Sequence, residues 1–173
     1  MKAIFLMSAM LFNLLLTGCA PRSPLSTVPS VDLNRYCGRW YEIAKYPNRF
    51  QKGCVGVTTA DYLAEPDGSI CVTNRCLRSD GSSREVRGVA KVVPNTGNAR
   101  LKVRFGWSPV AGDYWIIGLD EKNYSWALVG HPSRKFLWIL AREPQLPAAT
   151  YQEIIALAEK KGFQPERIVL SPQ

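Results

Sequence analysis

One stretch, Gly38-Arg39-Trp40-Tyr41-Glu42-Ile43-Ala44-Lys45-Tyr46, organises this chain. Its glycine permits a close turn of the backbone, and two residues later Trp40 supplies the largest apolar side chain. Because strand residues alternate between two faces, counting in twos from Trp40 places Glu42, Ala44 and Tyr46 on one face. Small and aromatic residues on that face favour a sheet that closes round a cavity. We therefore expect residues 39–46 to be a barrel strand with these side chains inside.

The chain then alternates strand-like runs with turn sequences such as Glu65-Pro66-Asp67-Gly68. The runs are rich in β-branched and aromatic residues, and the turns contain Gly, Pro, Asp and Ser. The clearest run is 100–105, where Leu101, Val103 and Phe105 alternate with basic residues, so these three side chains are expected inside. The predicted strands after the first are residues 54–64, 69–77, 84–93, 100–105, 113–119, 124–130 and 135–142.

The pattern changes to helical spacing over residues 147–162. Thr150 and Glu153 are spaced as a capping box, and Gly162 is a typical end of a helix. A short strand is predicted over residues 167–170. The fold class is therefore all-β: an eight-stranded up-and-down antiparallel β-barrel with a C-terminal α-helix and a short final strand. A barrel of eight strands has room for one small ligand.

The N-terminus has the features of an exported protein. A basic residue and an apolar run precede the sequence Leu16-Thr17-Gly18-Cys19, as in a secretory signal peptide. This ending resembles the bacterial lipobox, in which the cysteine is acylated, for example with palmitate, and becomes the first mature residue. The resemblance implies a signal peptide over residues 1–18 and a membrane anchor at Cys19. Ala20 follows where Asp is associated with inner-membrane retention, which favours the outer membrane.

Composition limits the remaining choices. Residues 19–173 are the size of one domain, with a Pro- and Ser-rich tether over 19–31 and the folded domain over 32–173. The formal net charge of +8 is spread along the chain. It forms no basic cluster with interleaved aromatic residues, so a nucleic-acid partner is not expected. A basic surface is suited to anionic lipid headgroups.

Four cysteines remain after Cys19: Cys37, Cys54, Cys71 and Cys76. Export places them in an oxidising compartment, where an even number favours disulfides. Their spacing lacks the close cysteine pair of zinc sites, so no metal site is expected. The residues alone leave three pairings open.

Enzyme signatures are lacking in the sequence. His131 is the single histidine, and the Gly-x-Ser-x-Gly, phosphate-binding glycine and Cys-x-x-Cys motifs are absent. We therefore expect neither an enzyme nor a cofactor.

Three motifs resemble those of bacterial lipocalins of the outer-membrane lipoprotein type, which are related to apolipoprotein D. Residues 38–44 resemble the first motif, Leu119-Asp120 with Tyr124 resembles the second less closely, and Leu137-Trp138-Ile139-Leu140-Ala141-Arg142 resembles the third. The resemblance implies that Arg142 lies across Trp40 in a cation–π contact at the closed end. Gly38, Trp40 and Arg142 are therefore expected to be structural residues. The resemblance covers the chain from about Asp32 onward.

The resemblance also implies a site inside the barrel for a fatty acid or lysophospholipid, which the protein would carry or store at the cell envelope. An apolar, aromatic pocket is suited to an acyl chain. It further implies a disulfide between Cys54 and Cys76. Cys37 and Cys71 could then form the remaining pair, but the sequence leaves their pairing open. The residues expected to bind the ligand are Ala44, Tyr46, Phe50, Tyr62, Val103, Phe105, Tyr114 and Trp138.

Three alternatives stay open at this point. One is a haem or tetrapyrrole site with His131 as ligand. Another is a lipocalin-fold enzyme that uses Glu42 and a cavity tyrosine, and the third is a structural envelope protein with a filled barrel. The sequence does not discriminate a monomer from a homodimer.

Overall fold

The structure is a computed structural model that describes residues 23–106 and 108–173. The predicted signal peptide over residues 1–18 and the predicted acylation site Cys19 lie outside the described residues. Within the described part of the chain, no helix is both long and apolar enough to cross a membrane.

The predicted eight-stranded antiparallel barrel is confirmed. Each strand pairs with the next in sequence, and β1 pairs with both β8 and β2, so the sheet closes. The loops that join β1 to β2, β3 to β4, β5 to β6 and β7 to β8 therefore lie at one end, the mouth. The barrel strands are β1 Gly38–Lys45, β2 Cys54–Ala64, β3 Ile70–Arg78, β4 Ser83–Val92, β5 Arg100–Phe105, β6 Gly112–Leu119, β7 Trp126–Gly130 and β8 Leu137–Ala141.

A bulge in β1 changes which residues face the inside. Glu42 pairs with Leu140, but Ala44 pairs with Ile139, so Ile43 is one extra residue in the ladder. An extra residue reverses the alternation beyond it. Trp40 and Glu42 face the interior as predicted, whereas Ala44 packs in an apolar cluster on the outer side of the barrel.

That outer cluster lies beneath the helix α2, Ala148–Lys160, which contributes its buried residues Ile154 and Ala158. A Cβ at Gly118 would lie 2.6 Å from the Leu157 side chain, so the absence of a side chain there allows the helix to approach the sheet. Gly162 has a φ of +84° and ends the helix as predicted. The predicted capping box is wrong, because the helix begins after Pro147 and no side chain caps it.

The C-terminal strand β9, Val169–Leu170, fills the gap where β1 and β2 separate. It pairs with Ala44 and Lys45 of β1, and the Pro172 carbonyl then accepts a hydrogen bond of 2.9 Å from the Val57 amide of β2. The chain end is thus held between the two strands that close the barrel, on the mouth side of their ladder.

The N-terminal segment runs along the outside of the barrel. Ser23 lies beside the β7–β8 loop, Val28 bonds to β6, and Val31 bonds to Gly97. Leu25 and Val31 are buried, so the predicted tether over 19–31 is wrong from Leu25 onward, where the chain packs against the barrel instead. A short helix that the sequence pattern did not predict, α1 Leu33–Tyr36, then crosses the end opposite the mouth.

Candidate functional site

The barrel encloses a cavity of about 380 Å³ that opens at the mouth. Six of the eight residues predicted to bind a ligand line it: Phe50, Tyr62, Val103, Phe105, Tyr114 and Trp138. The prediction is wrong for Ala44 and Tyr46. Both lie beyond the bulge in the outer cluster, where the Tyr46 hydroxyl donates to the Gln164 carbonyl at 3.0 Å.

Aromatic rings form one wall near the mouth. The Phe136 ring centre lies 5.4 Å from that of Phe50 and 6.0 Å from that of Trp138, with which it is stacked. Phe50 is 38% exposed and Val110, also at the cavity, is 72% exposed. Exposed apolar groups at the rim are suited to a ligand that enters from a lipid phase.

Basic side chains occupy the same rim. Arg49 lines the cavity, with its guanidinium 5.4 Å from the Phe50 ring centre. Arg84 also lines the cavity and donates to the Phe50 carbonyl at 3.3 Å. Arg134, in the loop between β7 and β8, donates to the carbonyls of Lys161 and Ser23. Cationic groups therefore surround the opening and could meet an anionic headgroup.

Glu42 is the buried carboxylate of the site, with 3% of its surface exposed. Its Oε1 accepts from Lys45 Nζ at 2.7 Å and from the Ser171 hydroxyl at 2.6 Å, and its other oxygen accepts from Gln51. Gln51 belongs to the β1–β2 loop and accepts from the Trp138 indole at 3.3 Å. The carboxylate thus joins the C-terminal segment to the mouth loop. Paired and hydrogen-bonded in this way, it is stabilised as a structural anchor.

Three tyrosines meet deep in the barrel. The Tyr114 hydroxyl lies 2.7 Å from that of Tyr36 and 2.9 Å from that of Tyr62. Burial is the main reason why the pKa of Tyr62 rises to about 12 and why the pKa values of Tyr36 and Tyr114 rise well above their usual range. All three hydroxyls therefore keep their protons at neutral pH and can donate hydrogen bonds.

The floor beneath them is built by the residues of the three motifs. Arg142 lies over the Trp40 ring, and the Trp40 indole donates to the Tyr36 carbonyl at 2.8 Å. A Cβ at Gly38, whose φ is +97°, would lie 3.3 Å from Arg142. Tyr124 of the less similar second motif also takes part, because its hydroxyl accepts from the Asp32 amide that begins α1.

His131 lies at the rim of the cavity and not within it. Its Nδ1 accepts from the Ser133 amide, and burial together with Lys102 and Lys135 lowers its pKa, although Asp113 opposes the shift. The imidazole is therefore neutral at pH 7. In the described part of the chain, no three His, Cys, Asp or Glu side chains are grouped to hold a metal ion.

The predicted disulfide between Cys54 and Cys76 is present, with Cα atoms 5.6 Å apart on β2 and β3. Cys37 and Cys71, whose pairing the sequence left open, are free thiols. The ladder explains this, since Cys71 pairs with Leu63 on one side of β2 and Cys37 precedes β1 on the other. Two strand spacings of roughly 4.8 Å exceed the reach of a disulfide.

Tyr36, Gln51 and Ser171 are site residues that the sequence analysis missed. Tyr36 lies on a helix of four residues, too short to give a periodic signal. Gln51 and Ser171 lie outside the barrel strands, and only the folded chain brings them to Glu42. The one sequence signal for these partners was Glu42 itself, because a carboxylate inside a barrel requires hydrogen-bonding partners.

Comparison with known proteins places this architecture in a family. The family model described as "Lipocalin-like domain" matches residues 31–173. Outer membrane lipoprotein Blc of Vibrio cholerae is 36% identical, over 100% of this chain and 99% of that protein. The Escherichia coli K12 protein of the same name is 35% identical, over 98% of this chain and 96% of that protein. Temperature-induced lipocalin-1 of Arabidopsis thaliana is 38% identical, over 88% of this chain and 84% of that protein.

Solved structures agree on the fold. The insecticyanin of Manduca sexta superposes with a TM-score of 0.71 at 20% identity, over 87% of this chain and 85% of that one. The family model covers most of the chain, and several relatives exceed 30% identity over nearly their whole length. The chain is therefore a member of the lipocalin family, homologous along its length to the Blc outer-membrane lipoproteins.

Proposed function

We propose that this protein binds fatty acids or lysophospholipids in its barrel and carries or stores them at the cell envelope. The observation that carries the proposal is the cavity of about 380 Å³, whose wall combines aromatic rings with aliphatic side chains. Such a wall provides favourable burial for an acyl chain. We assign binding and not catalysis, because Glu42 is engaged by Lys45, Gln51 and Ser171 and bonds to no cavity tyrosine within residues 23–106 and 108–173.

The rim supports an orientation for the ligand. Arg49 and Arg84 lie at the opening, whereas Val72, Val103 and Leu140 line the interior. A carboxylate or phosphate would retain water and a cationic partner at the rim, and would lose both if it entered first. The acyl chain therefore enters first, and the headgroup remains at the mouth.

The start of the described chain supports anchoring on the same side. Ser23 accepts a hydrogen bond of 2.8 Å from Arg134, whose loop joins β7 to β8 at the mouth. Cys19 precedes Ser23 by four residues, and four extended residues reach at most about 14 Å. Acylation of Cys19 would thus hold the mouth close to the membrane surface. The relatives named outer membrane lipoprotein support the outer membrane as its location.

A direct titration tests the proposal. The Cys19→Ser variant, exported, delipidated and purified without detergent, is titrated with palmitic acid and with a palmitoyl lysophospholipid by calorimetry and by tryptophan emission. Both probes are expected to bind, and most of the emission change should be lost in Trp138→Phe, because Trp138 lines the cavity. Absorbance of the undelipidated protein at haem wavelengths tests the tetrapyrrole alternative in the same sample.

A charge variant tests the orientation. Arg49→Ala should weaken palmitate binding by up to about fivefold, the effect of an exposed ion pair, and leave hexadecanol binding unchanged. Mass spectrometry of copurifying lipids provides an independent measurement. If neither probe binds and no lipid copurifies, the barrel is a filled structural barrel and the proposal fails.

A further inference from the structure

Tyr36 and Tyr62, which are buried, and Tyr114, which is partly buried, form a polar group at the inner end of the cavity. Tyr62 and Tyr114 line the cavity, while Tyr36 lies behind them on α1. Their rings also pack together, with centres 5.6 Å apart for Tyr36 and Tyr62 and 6.1 Å apart for Tyr62 and Tyr114. Among the described residues, their hydroxyls hydrogen-bond only one another.

A count of hydrogen bonds leaves one proton unused. Three hydroxyls supply three protons, but the group makes only two hydrogen bonds, Tyr62 to Tyr114 and the one between Tyr36 and Tyr114. The third proton can therefore be donated to an acceptor from outside the group.

The geometry indicates which tyrosine holds the unused proton. If Tyr114 donated to Tyr36, the spare proton would be on Tyr36, which does not line the cavity. If Tyr36 donates to Tyr114, the Tyr114 oxygen accepts twice, from Tyr36 and from Tyr62, and its own proton is free to point into the cavity. The second arrangement gives the spare proton access to a ligand, because Tyr114 lines the cavity.

We propose that the Tyr114 hydroxyl is a binding subsite for a neutral oxygen acceptor, a hydroxyl or carbonyl group carried at the inner end of an otherwise apolar ligand. The inference rests on the proposed function, because it concerns the far end of a chain whose headgroup lies at the mouth. A plain alkyl chain carries no acceptor for this hydroxyl, so the subsite should favour ligands with an oxygen at the inner end.

The acceptor is neutral because of where the cationic groups lie. Arg49 and Arg84 are at the rim, and Arg84 is held there by its bond to the Phe50 carbonyl. Arg75 also lines the cavity, but its guanidinium is paired with Asp61 and Glu85. Val72, Val103 and Leu140 line the cavity and belong to the same apolar cluster as the tyrosines. An ionised carboxylate at that depth would lose its hydration without gaining a cation, whereas a hydroxyl or ketone needs only the one donated bond.

A series of matched fatty acids tests the subsite in the delipidated Cys19→Ser protein. Saturated acids of about ten to eighteen carbons suit a ligand pocket of this size. Each is compared with the same acid bearing a terminal hydroxyl or a ketone near the terminus. At the length that reaches Tyr114, both oxygenated acids should bind about three- to tenfold more tightly than the plain acid. The ketone only accepts, so its preference isolates the bond donated by Tyr114.

Variants then assign the preference to one hydroxyl. Tyr114→Phe should abolish it while binding the plain acid at least as tightly, which also shows that the variant is folded. Tyr151→Phe, which removes a hydroxyl from α2 outside the barrel, is the matched control and should retain the preference. Tyr36→Phe should also retain it, because Tyr62 still donates to Tyr114.

The outcomes separate this inference from the proposed function. If plain acids bind but no oxygenated acid is preferred at any length, the subsite is wrong and lipid binding stands. A preference that persists in Tyr114→Phe also overturns the subsite. If no acid binds at all, both proposals fail.

Discussion

The guanidinium carbon of Arg142 lies 3.9 Å from the centre of the Trp40 ring, and the same side chain binds backbone carbonyls of the residues that precede Trp40. It donates to the carbonyls of Arg39 at 2.8 Å, Tyr36 at 3.1 Å and Cys37 at 3.0 Å. One side chain from the end of β8 thus holds α1 and the start of β1. The position of Tyr36, and with it the floor of the cavity, depends on this contact.

Arg142→Ala is expected to lower the free energy of unfolding by about 2–4 kcal/mol, from the lost cation–π contact and the carbonyls left without a donor. Urea unfolding followed by tryptophan emission measures this change. Arg142→Lys should recover only part of the loss, because an ammonium lacks the planar fork that reaches several carbonyls.

The control for this measurement is Arg104→Ala, on the exposed face of β5, whose unfolding midpoint should equal that of the parent. A change of less than about 0.5 kcal/mol in Arg142→Ala, within the range of ordinary surface substitutions, would show that the floor is held by other contacts.

The barrel could be predicted from sequence because its strands alternate and its turns are marked. The β5 bounds, 100–105, agree with the prediction at both ends, since Leu101 and Val103 face inward between basic residues. Five of the six expected ligand residues that line the cavity lie on strands and are placed there for the same reason, whereas Phe50 lies in the loop between β1 and β2. Once one inward residue such as Trp40 is known, the alternation of inward and outward side chains can be followed along any regular strand.

The alternation of inward and outward side chains is interrupted where a strand is irregular. This interruption explains the errors at Ala44 and Tyr46. The bulge at Ile43 adds one residue, and nothing in the local sequence marks it, because Ile43 and Ala44 are both apolar and both buried. The tyrosine group was missed for another reason. Tyr36 reaches Tyr114 across 78 positions of the chain, a contact that no local pattern encodes.

The disulfide between Cys54 and Cys76 is expected to contribute about 3 kcal/mol to stability in the chain-entropy model, given its sequence separation of 22 residues. The double variant Cys54→Ser with Cys76→Ser should show this loss in urea unfolding. Reduction of the parent should reproduce it without any substitution.

Thiol counting provides the control for the disulfide. In the Cys19→Ser protein, unfolded without reductant, an alkylating reagent should label Cys37 and Cys71 and neither Cys54 nor Cys76. A peptide map in which Cys54 is joined to a different partner would contradict the assignment.

Ala60→Trp should block the cavity. Ala60 lines the cavity on β2 and pairs with Trp40, so an indole at this position would project into the space that an acyl chain needs. Palmitate affinity should fall by more than tenfold, which corresponds to about 1.4 kcal/mol. Calorimetry measures the affinity, and the far-UV circular dichroism spectrum confirms that the barrel is intact.

Ala44→Trp is the informative comparison for that variant. Ala44 is fully buried in the outer cluster beneath α2, so the added indole should destabilise the fold by about 1–3 kcal/mol through overpacking and leave the cavity open. If Ala60→Trp bound palmitate as tightly as the parent, the ligand would lie outside the barrel.

The final prediction concerns the anchor. Cys19→Ser should move the protein from the outer-membrane fraction to the soluble periplasmic fraction, because more than one acyl chain is needed for stable anchoring and serine cannot receive the thioether-linked lipid. Fractionation after a high-salt wash measures this, since salt removes proteins held only by the basic charge of the chain. Arg49→Ala is the matched control: it removes a rim cation but keeps Cys19, and it should remain membrane-bound.

Because Ser23 lies beside the mouth, the anchored protein should also take up palmitate from vesicles faster than the released Cys19→Ser form does. If Cys19→Ser stays in the membrane after the wash, the anchor lies elsewhere, and the mouth is not held at the lipid surface by the N-terminus.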